Sequence, residues 1–183
     1  QNLTNMIGFN FRMGEIEAAL GIEQLKKLPG IINEKIQWAG ILSEGLSKLD
    51  GLRTPIIKEH CSHVYYAYPL LLDDRITKTH RDKIFKALVA EGVPALGDRY
   101  VNLHLYPMYQ NKIAYGSNGF PWTSNLYKGN VSYEKGICPV AESMNSRRYI
   151  NIGLGLIRLD AQKCQKIISC FEKVWGQLDS LNK

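Results

Sequence analysis

The stretch Gly8-Phe9-Asn10-Phe11-Arg12-Met13-Gly14-Glu15-Ile16-Glu17-Ala18-Ala19-Leu20-Gly21-Ile22-Glu23-Gln24-Leu25 decides how the chain is read. Its first part is a short turn holding one amide, Asn10, and one guanidinium, Arg12. Its second part has helical spacing, with Met13, Ile16 and Leu20 on one side and Ala18, Ile22 and Leu25 on another. A helix apolar around most of its circumference is packed on several sides rather than laid on a surface. Just ahead of its first turn, backbone N–H groups lack intrahelical partners and the macrodipole is positive, so an anion is favoured there. Asn10 can donate through its amide, and Arg12 adds a planar, permanently charged fork suited to phosphate or carboxylate. A plainer reading stands beside this one, in which Asn10 is a turn or N-cap residue and Arg12 a solvated charge.

Working outward, the spacing predicts a first helix over residues 13–27 that stops at Pro29-Gly30, where proline breaks the ladder. A second helix is expected from Ile32, Ile36, Ala39, Leu42, Leu46 and Leu49, ended by Asp50-Gly51. Residues 62–72 are rich in aromatic and branched side chains and read as a strand buried on both faces, with Pro69 marking an edge position or a bulge. Thr79 and Asp82 resemble a capping box opening a helix that runs to Glu91 and stops at Gly92. A short strand is expected over 93–96, a short helix over 139–145, a strand over 148–154 and a final amphipathic helix over 160–181 with Asp160 as N-cap. Between Gly97 and Lys135 the chain is irregular and rich in Tyr, Asn, Gly and Pro; a stretch that long in a compact domain is a functional loop or a disordered one. Gly153-Leu154-Gly155 lacks the strand–helix context of a dinucleotide fingerprint and reads as a turn.

The 183 residues are 45% hydrophobic and 22% charged, enough for one domain with a real core. No run approaches the roughly 20 apolar residues that span a bilayer. Gln1-Asn2-Leu3 carries neither an initiating Met nor a signal pattern and reads as a cut end, so a piece of a longer, cytoplasmic protein is expected. The net charge of +6 is spread as Lys and Arg interleaved with Asp and Glu, without a dense basic stripe, which argues against nucleic acid. Cys61, Cys138, Cys164 and Cys170 have no metal-ligand spacing, so no metal is expected and a reduced setting with idle thiols is the default.

The run G-F-N-F-R-M-x-E-I-x-A-A-L-G-x-x-Q-L resembles the segment that opens the C-terminal part of the DegT/StrS family, and three further segments follow in the family's order. They are H-x-Y-x-x-Y-P-L at residues 63–70, L-H-L-x-P-x-Y at 103–109 and C-P-V-A-E at 138–142. The resemblance implies fold-type-I aminotransferases that use pyridoxal 5'-phosphate to transfer an amino group from Glu or Gln to a keto sugar, usually nucleotide-linked, in surface-polysaccharide or amino-sugar biosynthesis. It implies an α/β domain of the α+β kind: two long N-terminal helices, a small mainly antiparallel sheet and an amphipathic C-terminal helix. Residues 1–12 would be a linker from a missing large domain and residues 13–183 the small C-terminal domain. The Schiff-base lysine and the acidic partner of the cofactor would belong to that large domain; Ser124-Asn125-Leu126-Tyr127-Lys128 does not resemble the lysine loop, so no catalytic residue is expected here.

By the same resemblance Asn10 reaches the cofactor phosphate of a neighbouring subunit in a homodimer, Arg12 binds cofactor or nucleotide phosphate, and His104 lies near the sugar pocket. His104 also reads as a loop histidine with a local backbone partner. Tyr106 stands where other members carry a small or amide residue, which leaves the sugar's identity open. Trp122 is a ligand-stacking candidate, whereas Trp38 and Trp175 read as packing. His63 and Tyr66 are expected in or near the core, His60 and His80 at the surface, and Glu142 as a helix N-terminal charge rather than a general acid. Two alternatives stay open: a sugar 3-dehydrase relative whose lysine is replaced by histidine, and a non-catalytic dimerisation or ligand-binding module.

Overall fold

The computed structural model describes residues 11–98 and 100–182. Alternation along two short strands organises it. In β2 (Tyr68–Leu72) Tyr68, Leu70 and Leu72 are buried and the residues between them are half-buried; in β4 (Tyr149–Ile152) Ile150 and Ile152 repeat the pattern. Period-two burial means one apolar face, not the two expected for 62–72. The strand is also shorter than that stretch: residues 62–67 are loop, Tyr65 has φ +50°, its N–H donates to His63 Nδ1 at 2.8 Å, and Tyr66 is exposed rather than in the core.

Four antiparallel strands lie in the order β1 (Leu52–Arg53), β2, β4, β3 (Leu96–Gly97), with Tyr68 opposite Ile152 and Leu70 opposite Ile150. β1 pairs only with Leu71 and Leu72, so the flank of Pro69 facing β1 has no ladder to donate to, and the expected edge character holds locally.

The apolar face is covered by three helices. α1 (Glu15–Leu46) supplies Ala39, Leu42 and Leu46; α3 (Arg81–Ala90) supplies Ile84 and Leu88; α6 (Ala161–Trp175) supplies Cys164, Ile167, Ile168, Phe171 and Val174. Trp38 and Trp175 pack against this core as expected. The one deeply buried phenol, Tyr68, keeps a partner in Ser43, 2.7 Å away.

α1 corrects the expectation of two helices: it is one helix of 32 residues with Pro29 inside it. Proline removes one N–H, but the flanking turn Glu23-Gln24-Leu25-Lys26-Lys27-Leu28 is made of good helix formers, and a helix so flanked continues through the missing bond. Its N-terminal half is not packed on several sides within this chain: Ile16, Leu20 and Leu25 are 76%, 61% and 66% exposed.

Other boundaries moved for local reasons. The cap of α3 is His80, whose Nδ1 accepts from Asp82 N–H; Thr79 is instead buried, donating to Leu178 O and accepting from Asn182 Nδ2. Asp160 caps α6 as expected, accepting Lys163 N–H at 2.8 Å, but that helix ends at Trp175 and a 3-10 turn, Leu178–Asn182, completes the segment. Two four-residue helices, α2 (Asp74–Thr77) and α4 (Pro107–Gln110), and α5 (Pro139–Ser143) lie in the connections.

α1 and α6 touch at a glycine. A Cβ on Gly45 would lie 2.6 Å from Ile168 Cδ1 and 2.8 Å from its Cγ1, whereas one on Gly40 would meet nothing within 4 Å. Gly45→Val is therefore expected to destabilise the chain by about 2–3 kcal/mol through overpacking, and Gly40→Ala to stabilise it by about 0.5–1 kcal/mol. Urea denaturation of the two variants measures both; equal effects would remove the packing argument.

Candidate functional site

The sequence places its site residues at two locations. Asn10 lies outside the described residues. Arg12 is exposed ahead of α1, whose N-cap Gly14 supplies no capping side chain. The anion expected at that terminus meets competition, because Glu15 and Glu17 occupy the first turn and a Cβ on Gly14 would lie 2.4 Å from the Glu17 carboxylate. A phosphate there depends on the guanidinium more than on the helix dipole. Glu15 stands about 36 Å along the helix axis from Ala39, so this turn is remote from the core.

His104 and Trp122 share the loop between β3 and α5. His104 is in a 3-10 turn, Leu103–Leu105, followed directly by α4 with Pro107 at its start. Gln110 on α4 donates to His104 O at 2.6 Å and to Tyr133 O, tying the turn to the far end of the loop. Trp122 is half-buried, donates to the Tyr133 hydroxyl at 3.1 Å and meets Tyr109 and Tyr133 edge-on, with ring centroids 6.1 Å apart in both pairs. This aromatic cluster gives the irregular stretch a small core of its own.

The centre of the site is a residue the sequence reading underrated. Glu142 is in the first turn of α5, as expected, but its carboxylate faces inward. Oε1 accepts from Gly136 N–H at 2.8 Å, Cys138 N–H at 3.2 Å and His104 Nε2 at 2.9 Å, and Oε2 accepts from Gly136 N–H at 2.9 Å. The His104 and Glu142 side chains are only 11% and 12% exposed. The Gly136 N–H foremost, then His104 and the Cys138 N–H, hold the carboxyl below the usual carboxylate range against the opposing pull of burial. Such a carboxylate is an acceptor only, so Nε2 of His104 carries the proton. Beyond the local partner expected of a loop histidine, the ring of His104 has a hydrogen-bond partner in a carboxylate 38 residues away.

Arg81 was also missed. Read as one charge among many at the start of α3, it is 2% exposed; it donates to Asp98 O and, at 3.2 Å each, to Asn145 O and Ser146 O. Asp98 Oδ2 is 3.2 Å from Nη1, and Asp82 Oδ1 is 2.9 Å from Nε without hydrogen-bond alignment. Nothing in the local sequence distinguishes this arginine from its exposed neighbours. A cleft of about 620 Å³ opens here, walled by Arg81, Asp82, Asn102, Leu105, Lys135 and Glu142, with His104 outside its lining. A second cleft of about 690 Å³, between α1 and the β4–α6 connection at Lys35, Trp38 and Arg158, contains none of the expected site residues.

Among the described residues no group of His, Cys, Asp and Glu is arranged to hold a metal ion, and no helix is long and apolar enough to cross a membrane. Cys164 is buried, Cys170 half-buried, and Cys61 and Cys138 are exposed.

A small antiparallel sheet covered on one face by helices, with a long loop before its last strand, is a fold shared with a solved structure: over 96% of this chain and 40% of the other, S. venezuelae DesV superposes with a TM-score of 0.69 at 21% identity. The chain belongs to the DegT/DnrJ/EryC1/StrS aminotransferase family, whose family model matches residues 1–148. The uncharacterized protein MJ1066 of Methanocaldococcus jannaschii is 32% identical over 125 residues, 68% of this chain and 32% of that one. The spore coat polysaccharide biosynthesis protein SpsC of Bacillus subtilis is 28% identical over the same shares. The UDP-4-amino-4,6-dideoxy-N-acetyl-beta-L-altrosamine transaminase of Campylobacter jejuni is 26% identical over 129 residues, 69% of this chain and 32% of that one. The chain thus spans about a third of the length of these relatives.

The Glu142 interactions have a pH signature. Because the folded carboxyl is held below its ordinary range, its contribution to stability is complete above the ordinary carboxylate pKa and is lost as pH falls through the lowered folded value. Urea melts between pH 7 and pH 3 are expected to show a smaller acid-side loss for Glu142→Gln than for the native chain; identical slopes would show that the carboxylate is not stabilised by folding.

Proposed function

We propose that this chain is the C-terminal part of a pyridoxal-phosphate-dependent aminotransferase that moves an amino group from Glu or Gln to a keto sugar, carried on a nucleotide, in polysaccharide or amino-sugar biosynthesis. The family match over residues 1–148, which includes both the Asn10–Arg12 turn and the His104 loop, carries the reading. The names of the Bacillus and Campylobacter relatives support the sugar as substrate class. In this reading the protein works as a cytoplasmic homodimer, and residues 13–183 are the small domain following a linker at 1–12.

Pyridoxal phosphate, when bound, supplies the electron sink that transamination needs. This chain's part is to hold and orient. Arg12, with Asn10, is assigned to the cofactor phosphate, where a guanidinium fork and an amide give complementary charge and donors. The exposed apolar half of α1 that follows Arg12 is the surface a second subunit would dock on; Ile16, Leu20 and Leu25 are the residues that such docking would cover. His104 is assigned to a sugar hydroxyl and Trp122 to the flank of the ligand, held in place by the Tyr109–Tyr133 cluster. The lysine and the acidic cofactor partner belong to the large domain, so the isolated chain is inactive.

The decisive experiment uses the longer polypeptide that carries this chain. Adding glutamate or glutamine to the cofactor-loaded protein is expected to change the absorbance of the Schiff-base band, and adding a UDP-linked 4-keto sugar to yield aminated product. No spectral response and no aminated sugar would overturn the assignment. In the same protein Asn10→Ala is expected to weaken cofactor retention about tenfold or more, the loss of one charge-assisted hydrogen bond; unchanged affinity on dialysis would remove Asn10 from the site.

A further inference from the structure

We infer that Glu142 is a positioning residue that locks His104 in one tautomer and one orientation, so that the Nδ1 lone pair is offered to a hydroxyl of the sugar. The inference rests on the reading that places His104 at the sugar.

Three segments converge on this carboxylate: the 3-10 turn through His104, the loop through Gly136 and Cys138, and α5 itself. In a neutral imidazole one nitrogen donates and the other accepts. With Nε2–H committed to Glu142, Nδ1 is a bare acceptor, and among the described residues it meets no partner. A glycine contributes to the arrangement: Gly136 has φ +107°, a conformation that strains any other residue, and its N–H reaches both carboxylate oxygens. An amide in place of the carboxylate would set an NH2 group against that N–H, donor facing donor. The cleft beside this carboxylate, lined by Glu142 and Leu105 next to His104, carries hydrogen-bonding groups for a hydroxyl-rich ligand in the amides of Asn102 and Asn145 and in Lys135, with Asp82 adding an opposite charge. His104 alone would be free to rotate and to exchange tautomers; the carboxylate removes both freedoms before the sugar arrives.

Two measurements test this. In the 183-residue chain labelled with 15N-histidine, His104 is expected to show the Nε2–H tautomer alone, and Glu142→Ala to convert it to a mixture. In the longer cofactor-loaded protein, Glu142→Ala and Glu142→Gln are expected to lower kcat/KM for the keto sugar about tenfold while leaving the amino-donor half-reaction unchanged within about twofold. A native His104 in the Nδ1–H form overturns the inference. So does an unaltered sugar half-reaction in both Glu142 variants when His104→Ala slows it. If His104→Ala itself leaves the sugar half-reaction unaltered, the placement of His104 at the sugar fails first and the inference falls with it. Circular dichroism checks that each variant folds; should Glu142→Ala fail to, Glu142→Gln carries the kinetic arm.

Discussion

The packing of one apolar sheet face beneath three helices is the constraint on which the other features depend. Tyr68, Leu70, Leu72, Ile150 and Ile152 project to that face, and among the described residues it is the apolar surface on which α1, α3 and α6 close. The closest approach is between α1 and α6, where Gly45 lets the Ile168 side chain lie against the α1 backbone. Because the contacts use the C-terminal half of α1, where Lys35 also donates to Leu154 O, the N-terminal half projects from the body. An exposed apolar helix attached to a packed anchor is a surface awaiting cover.

The same sheet organises the polar side of the molecule. Its strands are short, so the chain leaves the sheet quickly at β3 and returns at β4 only after a loop long enough to need its own internal support. Two devices supply it. One is aromatic, Trp122 with Tyr109 and Tyr133. The other is ionic: Glu142 satisfies backbone N–H groups that have no ladder partner and pairs with His104 in the same step, while Arg81 does the converse for the carbonyls of Asp98, Asn145 and Ser146. One carboxylate collecting donors and one guanidinium collecting acceptors hold a loop that regular secondary structure does not.

The regular elements were largely legible because their signals are local. The aromatic and branched composition of residues 68–72 and 149–152, the three- and four-residue spacing of α6 and the Asp160 cap are each written within a few residues. The errors came where a local signal was outvoted. Pro29 has a breaker's chemistry, but the turn before it favours helix and the helix continues through it. Thr79 has a cap's chemistry, but burial beside Leu178 and Asn182 claims its hydroxyl and leaves the cap to His80. Residues 62–67 have strand composition without a neighbouring strand to pair with.

The sequence by itself determined the family, through four segments that resemble it in order, and the small mixed fold with an amphipathic final helix. Those follow from spacing and residue type, which survive in one dimension. Only the tertiary structure decided that Glu142 faces His104, that Arg81 is a buried hub, and that Arg12 precedes one continuous helix whose N-terminal half is exposed, far from the core. Each is a relation between segments tens of residues apart, and the energy of a hydrogen bond or an ion pair depends on distance and burial, which no local pattern encodes.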